Sequence, residues 1–256
     1  MTTFEEEYKR IEPIIKALTN ISLLGKKVVI RGKENFIKKG PNIIIGNHVG
    51  TFKDIATLSK IVPRHIFFTA NRVLFDKDEC TRLIRDHLIK HLKNFGLFVD
   101  LILSPIKSLF VKFVSTNMSK IGAIPVDLDM GRTKAMERCQ EYLRDGRAII
   151  TLQGHGRITK IGPNPYMSYF RKGVPIISYN LYKEGIIVPV TPIAIFGTQV
   201  PLMIPTKIKV NVGEPMYVHD YLEGEPTETV NRFRKALEKR VKALIYEIVK
   251  SQNLEK

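Results

Sequence analysis

The stretch KKGPNIIIGNH, Lys38 to His48, couples a Gly-Pro turn to an apolar strand, Asn42 to Ile45. A strand without polar alternation has both faces covered, and a largely parallel sheet with helices packed on it provides that cover. The rest of the chain reads the same way. Lys27 to Ile30 is a short β-branched run closed by Arg31-Gly32, Thr51 to Val62 reads as a helix, and His65 to Thr69 as a strand. Residues 72 to 120 are mostly helical, and residues 122 to 127 form a strand. Thr133 to Arg144 is a helix stopped by Asp145-Gly146, and Ala148 to Leu152 is a second apolar strand. Residues 186 to 195, IIVPVTPIAI, are extended, but Pro189 and Pro192 should confine them to a sheet edge or to irregular pairing. Lys207 to Val212 alternates and ends at Gly213. Val230, Phe233, Leu237, Val241, Leu244 and Ile248 make an amphipathic C-terminal helix. Strands alternating with helices predict an α/β fold, a mostly parallel central sheet flanked by helices. The expected parts are an N-terminal amphipathic helical segment, 1–24, a main domain, 25–225, and the C-terminal helix, 226–256. No internal repeat, low-complexity tract or interdomain linker is evident.

With 256 residues, 44% of them apolar and 26% charged, the chain can bury a sizeable core, and disorder or a fibrous fold is excluded. The net charge of +16 implies anionic company: nucleic acid, an anionic membrane or a phosphate-bearing substrate. Cys80 and Cys139 have neither CxxC nor metal spacing, so a reduced, cytosol-facing protein is expected. The opening MTTFEEEYKR is acidic and does not read as a signal peptide.

Two segments invite a membrane reading. Gly96 to Ser115 is long enough to span, but it carries Asp100, Lys107 and Lys112 around Pro105. Each such charge costs about 2.5–3.5 kcal/mol at mid-bilayer, which argues against a span. Leu103, Ile106, Phe110 and Phe113 recur at helical spacing between lysines, the pattern of a helix lying in a membrane interface or over a core. Phe4, Tyr8, Ile11, Ile15 and Leu18 form a similar stripe, which Pro13 should kink or restart, with Lys9, Arg10 and Lys16 off the stripe.

Ligands of open α/β sheets collect beyond the carboxyl ends of the strands. His48 lies there, and an imidazole makes a good general base when a carboxylate fixes its tautomer. Asp54 is the sole acid between Glu34 and Asp76, and hence the local candidate partner. Two bland readings stand beside this one. His48 may be read as structural, and Thr51 to Asp54 as a capping box with Thr51 at N-cap and Asp54 at N3. A second constellation is AIITLQGHGR, 148 to 157, in which a strand leaves into a glycine-flanked loop holding His155 and Arg157. SYFRKG, 168 to 173, adds Arg171 and Lys172. Such loops bind phosphate through backbone N–H groups and guanidinium, and they also occur as solvated turns. There is no GxSxG, no P-loop, no complete dinucleotide fingerprint and no metal-spaced cluster, so no metal ligand is assigned.

In order along the chain, four blocks resemble the glycerolipid acyltransferases typified by 1-acylglycerol-3-phosphate acyltransferase. They are NHVGTFKD, KIGAIPVDLDMGR (120 to 132), ITLQGHGR followed by YFRKG, and VPVTPIAI (188 to 195). VVIRGKENFIKKGPNIII before the first block and VNVGEP after the last also fit, so the likeness covers roughly residues 25 to 216. The resemblance implies the glycerol-phosphate-acyltransferase-like α/β fold, with His48 as the base and Asp54 as its partner. It further implies that Arg157 holds phosphate and that Arg171 and Lys172 form the basic pair before glycine. Two departures stand out. The family places four residues between His and Asp, and here there are five, with Gly50 the residue able to absorb the extra one as a bulge. The family's glutamate position holds Gly154 and its Gly-Thr pair reads His155-Gly156, which points to a changed acceptor that His155 would contact. The loop from Arg157 to Phe170 is also longer than in the family.

The implied reaction moves an acyl group from a thioester, acyl-coenzyme A or acyl carrier protein, to a hydroxyl of a lysolipid acceptor. No cofactor beyond that co-substrate and no covalent enzyme intermediate are expected. Backbone N–H groups are expected to stabilise the oxyanion. The setting is the cytoplasmic face of an anionic membrane, where each basic residue contributes about 1 kcal/mol. The rival reading is a degenerate basic protein of the same fold that binds membrane or nucleic acid without chemistry. The phenylalanines fall on apolar stripes rather than among basic residues, so nucleic acid is not an expected partner.

Overall fold

The computed structural model describes residues 4–92, 104–127, 132–154, 166–201 and 204–253. The chain forms two compact units, Met1–Ile11 with Thr69–Ala135 and Glu12–Phe68 with Met136–Lys256. Helices are α1 (Phe4–Ser22), α2 (Phe52–Ile61), α3 (Lys77–Leu92), α4 (Ser104–Asn117), α5 (Arg132–Arg144), α6 (Gly173–Lys183) and α7 (Pro226–Asn253). Strands are β1 (Lys26–Arg31), β2 (Asn42–His48), β3 (Ile66–Asn71), β4 (Ala123–Val126), β5 (Ala148–Gly154), β6 (Val190–Phe196) and β7 (Thr206–Val212).

The seven strands lie in the order β1-β7-β6-β2-β5-β3-β4. The pairs β1/β7, β6/β2, β2/β5 and β5/β3 are parallel, and β6/β7 is antiparallel. The mostly parallel sheet expected from the sequence is therefore present, with β2 near its centre. Ile43, Ile44 and Ile45 are buried on both faces, as their lack of alternation requires. Their neighbours Ile149, Ile150, Ile193 and Ile195 are equally buried, and α7 closes the layer over β6 and β7 with Phe233, Leu237 and Val241. From α5, Tyr142 stacks on Phe67 of β3 with ring centroids 4.0 Å apart.

In the other unit, α4 packs on α3 and on the turn Arg72–Phe75, with Val111 facing inward. Arg72 joins this unit's pieces through Glu79 at 3.2 Å and Asp127 at 3.3 Å. Leu109 (71% exposed) and Phe110 (48%) point outward. The expected interface helix begins in residues 96–103, which lie outside the described residues. Among the described residues no helix is long and apolar enough to cross a membrane.

α1 runs through Pro13 as one helix, without a restart. β6 is an interior strand rather than an edge, but its pairing beside Pro192 is irregular, as expected: the regular β6–β7 ladder ends at Ile193↔Val212 and an isolated bridge joins Val190 to Met216 in a shifted register. The Pro192 carbonyl accepts the Gly213 N–H at 2.8 Å, and the reciprocal bond that proline cannot donate falls at the end of the regular ladder.

Gly46 lies in the middle of this sheet, where a Cβ would come within 2.5 Å of Ile193 Cγ1 and 2.8 Å of its carbonyl oxygen. Gly46→Ala is expected to destabilise the protein by about 1–3 kcal/mol through overpacking. Gly173→Ala, which has open space around it, is expected to change stability by under about 1 kcal/mol. Chemical denaturation of the two variants checks this, and equal midpoints would contradict the packing argument.

Candidate active site

β2 carries its last three residues to the carboxyl edge of the sheet, and each has a separate task. Gly46 allows the close approach of β6. Asn47, fully buried, extends the ladder with its side chain: Oδ1 accepts the Ile195 N–H at 2.8 Å, and Nδ2 donates to Ile195 O at 2.9 Å and Tyr166 O at 3.1 Å. His48 follows on the opposite face of the pleat, its side chain 25% exposed.

The chain then turns sharply into α2. Gly50 O accepts the Lys53 N–H at 3.1 Å, and Thr51 sits at φ 52, ψ −130. These angles are those of the first central residue of a type II′ turn, a place for glycine. The threonine is held there with its hydroxyl donating to Gly50 O at 2.7 Å. Gly50 is glycine for another reason: a Cβ would lie 2.3 Å from Thr198 Cβ. The residue between His48 and Asp54 that takes the positive φ is thus Thr51, not Gly50.

The same turn replaces the expected capping box. Thr51 occupies the N-cap position but makes no side-chain cap bond. Asp54 supplies the acceptor instead. Its Oδ2 takes the N–H of Val49 at 2.9 Å, the N–H of Gly50 at 2.8 Å and the Nδ1 of His48 at 2.7 Å. The residue is fully buried in the first turn of α2, where the helix dipole favours negative charge. With Nδ1 facing a carboxylate, the imidazole proton resides there, and Nε2 presents a lone pair to the outside. No described residue hydrogen-bonds Nε2. Asp54 Oδ1 and Thr198 Oγ1, both buried, likewise have no partner among the described residues.

Lys53 follows the turn into the interior. Its Nζ donates to Val200 O at 2.6 Å, while Lys26 Nζ holds Pro201 O at 2.8 Å and Ile204 O at 2.6 Å. Burial, and then the neighbouring Lys26, push the Lys53 ammonium below its ordinary pKa, opposed by Asp54. Two lysines thus tie the loop after β6 against β1 and the start of α2.

Gly154 ends β5 directly opposite His48 in the β2–β5 register. Its φ is 137, and a Cβ would come 3.0 Å from His48 O, so this backbone disfavours a glutamate at 154. Gln153, one residue earlier, turns its amide to the segment 166–172, where its Oε1 accepts the Arg171 N–H at 3.1 Å. That strap is tied along its length. Asn47 holds Tyr166 O, Glu238 Oε2 accepts the Phe170 N–H at 3.2 Å, and Arg234 donates to Phe170 O at 3.4 Å. The side chains of Arg171 and Lys172 are exposed. His155 and Arg157 lie outside the described residues.

The structure therefore brings His48 and Asp54 together and leaves Arg171 and Lys172 at the end of the strap. Asn47, Gln153 and Glu238 were not singled out from the sequence. Asn47 and Glu238 each left a trace there: a polar residue closing a buried strand, and a carboxylate with Arg234 and Lys242 four residues to either side on one helix face.

Thr51→Gly is expected to raise stability by up to about 2 kcal/mol, since relief of 1–3 kcal/mol of backbone strain exceeds the added chain entropy. A lowered midpoint on chemical denaturation would contradict the strained-turn assignment. The strap gives a pH prediction. Burial alone would raise the Glu238 carboxyl pKa, but the Lys242 hydrogen bond, the Phe170 N–H and the charges of Lys242 and Arg234 hold it below its ordinary 4.5. A depressed folded pKa stabilises above the unfolded value and is lost as pH falls through the folded one. The stability gap between the parent and Glu238→Gln should hold at neutral pH and shrink below about pH 4.5, measured by denaturation across pH.

No protein-family model matches the chain, and no curated protein sequence matches it. Among solved structures, it is similar to the crystal structure of the 1-acyl-sn-glycerophosphate (LPA) acyltransferase, PlsC, from Thermotoga maritima. The TM-score is 0.56 over 97% of this chain and 83% of that one, at 21% sequence identity. At that identity the likeness is one of fold: the chain has the α/β architecture of a 1-acylglycerol-3-phosphate acyltransferase.

Proposed function

We propose that this chain is an O-acyltransferase that moves a fatty acyl group from acyl-coenzyme A or acyl carrier protein to a hydroxyl of a lysophospholipid-like acceptor. The observation that carries the reading is the His48–Asp54 contact at the carboxyl edge of the sheet, with Nε2 turned outward. In the reaction, Nε2 takes the acceptor's hydroxyl proton as the oxygen attacks the thioester carbonyl. Asp54 supports the imidazolium through Nδ1–H, its oxygen fixed by two further backbone donors. The tetrahedral intermediate collapses with C–S cleavage, and the imidazolium returns its proton to the departing sulfur. No covalent enzyme intermediate forms. Arg157, Arg171 and Lys172 grip the acceptor's phosphate or other anionic group.

The protein works on the cytoplasmic face of an anionic membrane, which its +16 charge suits. Ile14, Leu18, Ile21 and Leu24 leave an apolar stripe exposed along and just beyond α1, and α4 exposes Leu109 and Phe110, which supports docking in the interface. The rival, a non-catalytic binding protein, drew its support from the extra residue between His48 and Asp54. The 2.7 Å contact across that residue favours the enzyme.

The test is thiol release by the purified protein from acyl-coenzyme A and acyl carrier protein donors over a panel of lysolipids. Release should depend on one acceptor. His48→Ala and Asp54→Asn should each lower it about 10²–10⁴-fold with circular dichroism unchanged. Full activity in folded His48→Ala would refute the assignment.

A further inference from the structure

A second constellation of charge lies on α7, apart from the dyad. Arg234, Lys235, Glu238, Lys239 and Lys242 line a cavity of about 240 Å³, and Tyr169 of the strap forms part of its wall. Glu238, nearly buried, is its one carboxylate. It is already matched by Arg234 at 2.9 Å, Lys242 at 2.8 Å and the Phe170 N–H. Lys235 and Lys239 are exposed and have no ion pair among the described residues. Four cations against one carboxylate leave the cavity with a net charge of three.

Tyr169 is 71% exposed, yet the backbone beside it is clamped: Phe170 by α7 and Arg171 by Gln153. Its ring stands in solvent on this anchored backbone, with the Lys242 ammonium 5.9 Å from its centroid. An exposed ring supplies a stacking face for a base, and unpaired lysines supply point charges for phosphate. The depression between Tyr169 and α7 is small, about 240 Å³, and largely open to solvent. The strap that bears Tyr169 is also bonded to the end of β5, where Arg171 N–H meets Gln153 and the next residue, Gly154, pairs with His48 in the strand register.

We propose that this cavity is the site for the nucleotide end of the thioester donor, an adenine ring with its attached phosphates, and that the donor is therefore a coenzyme A thioester rather than a carrier protein. The inference rests on the acyl-transfer reading for its meaning but is measured by binding.

Isothermal titration with adenosine 3′,5′-bisphosphate, which has neither thiol nor acyl group, should show saturable binding to the intact chain. The single variant Tyr169→Ala and the double variant Lys235→Gln with Lys239→Gln should each weaken it at least tenfold, with unchanged circular dichroism. Both should raise KM for acyl-coenzyme A by a similar factor with kcat within twofold. His48→Ala should bind the nucleotide like the parent, so turnover retained in that variant would count against the dyad and not against this site. Three results would overturn the proposal. One is equal affinity for inorganic phosphate and for the nucleotide. Another is a double variant that loses binding to vesicles of anionic phospholipid while keeping the nucleotide. The third is a KM effect confined to acyl carrier protein.

Discussion

Three N–H groups meet on one buried oxygen, Asp54 Oδ2: two from the backbone of Val49 and Gly50 and one from the ring of His48. The end of β2, the turn and the first turn of α2 are all positioned by this convergence. Without the carboxylate, two buried backbone donors would lose their acceptor, a cost of about 1–3 kcal/mol each. The same oxygen thus closes the turn and orients the imidazole. Stability and the proposed chemistry draw on a single contact. This explains how a β-branched residue can persist at φ 52 beside it, since strain of that kind survives only where the surroundings over-determine the backbone.

The sheet edge around the dyad is built by side chains that imitate backbone. Asn47 continues the β2–β6 ladder past its last regular pair, and Gln153 near the end of β5 accepts the Arg171 N–H of the strap. Each amide carries a donor and an acceptor, so each can satisfy a neighbour's main chain where a strand has ended. Glu238 reaches the strap from the other side and is neutralised on its own helix by Arg234 and Lys242. A loop that would otherwise have to find water for its polar groups is thereby fixed against the carboxyl edge of the sheet. For a reaction that depends on placing a hydroxyl and a thioester carbonyl within bonding distance, such fixed surroundings matter more than any further titratable group.

Charge is divided between locations with different company. Lys26 and Lys53 are committed to backbone carbonyls of the loop after β6. Arg171, Lys172, Lys235 and Lys239 remain exposed. The overall positive balance is therefore not one uniform surface: part of it holds the fold, and part is presented to anions.

Some of this was legible from residues in order. Three consecutive isoleucines dictated a strand covered on both faces, and hence a parallel sheet, because burial of a strand is a local property of its pattern. His48 and Asp54, six positions apart across a glycine-containing turn, are close in sequence, so their pairing could be anticipated. Other features depended on register. Pro192 sits in an interior strand because its missing N–H falls one residue beyond the β6–β7 ladder, and no local pattern encodes where a ladder stops. Gly50 is required not by a left-handed turn, which Thr51 takes, but because Thr198, remote in sequence, occupies the space beside it. Asn47 binds Ile195, 148 residues on, and Glu238 binds Phe170 across 68. Local sequence determined which segments are strand, helix and turn. The tertiary structure decided which polar groups satisfy one another, because hydrogen bonds between distant segments form only once the strands have been set side by side.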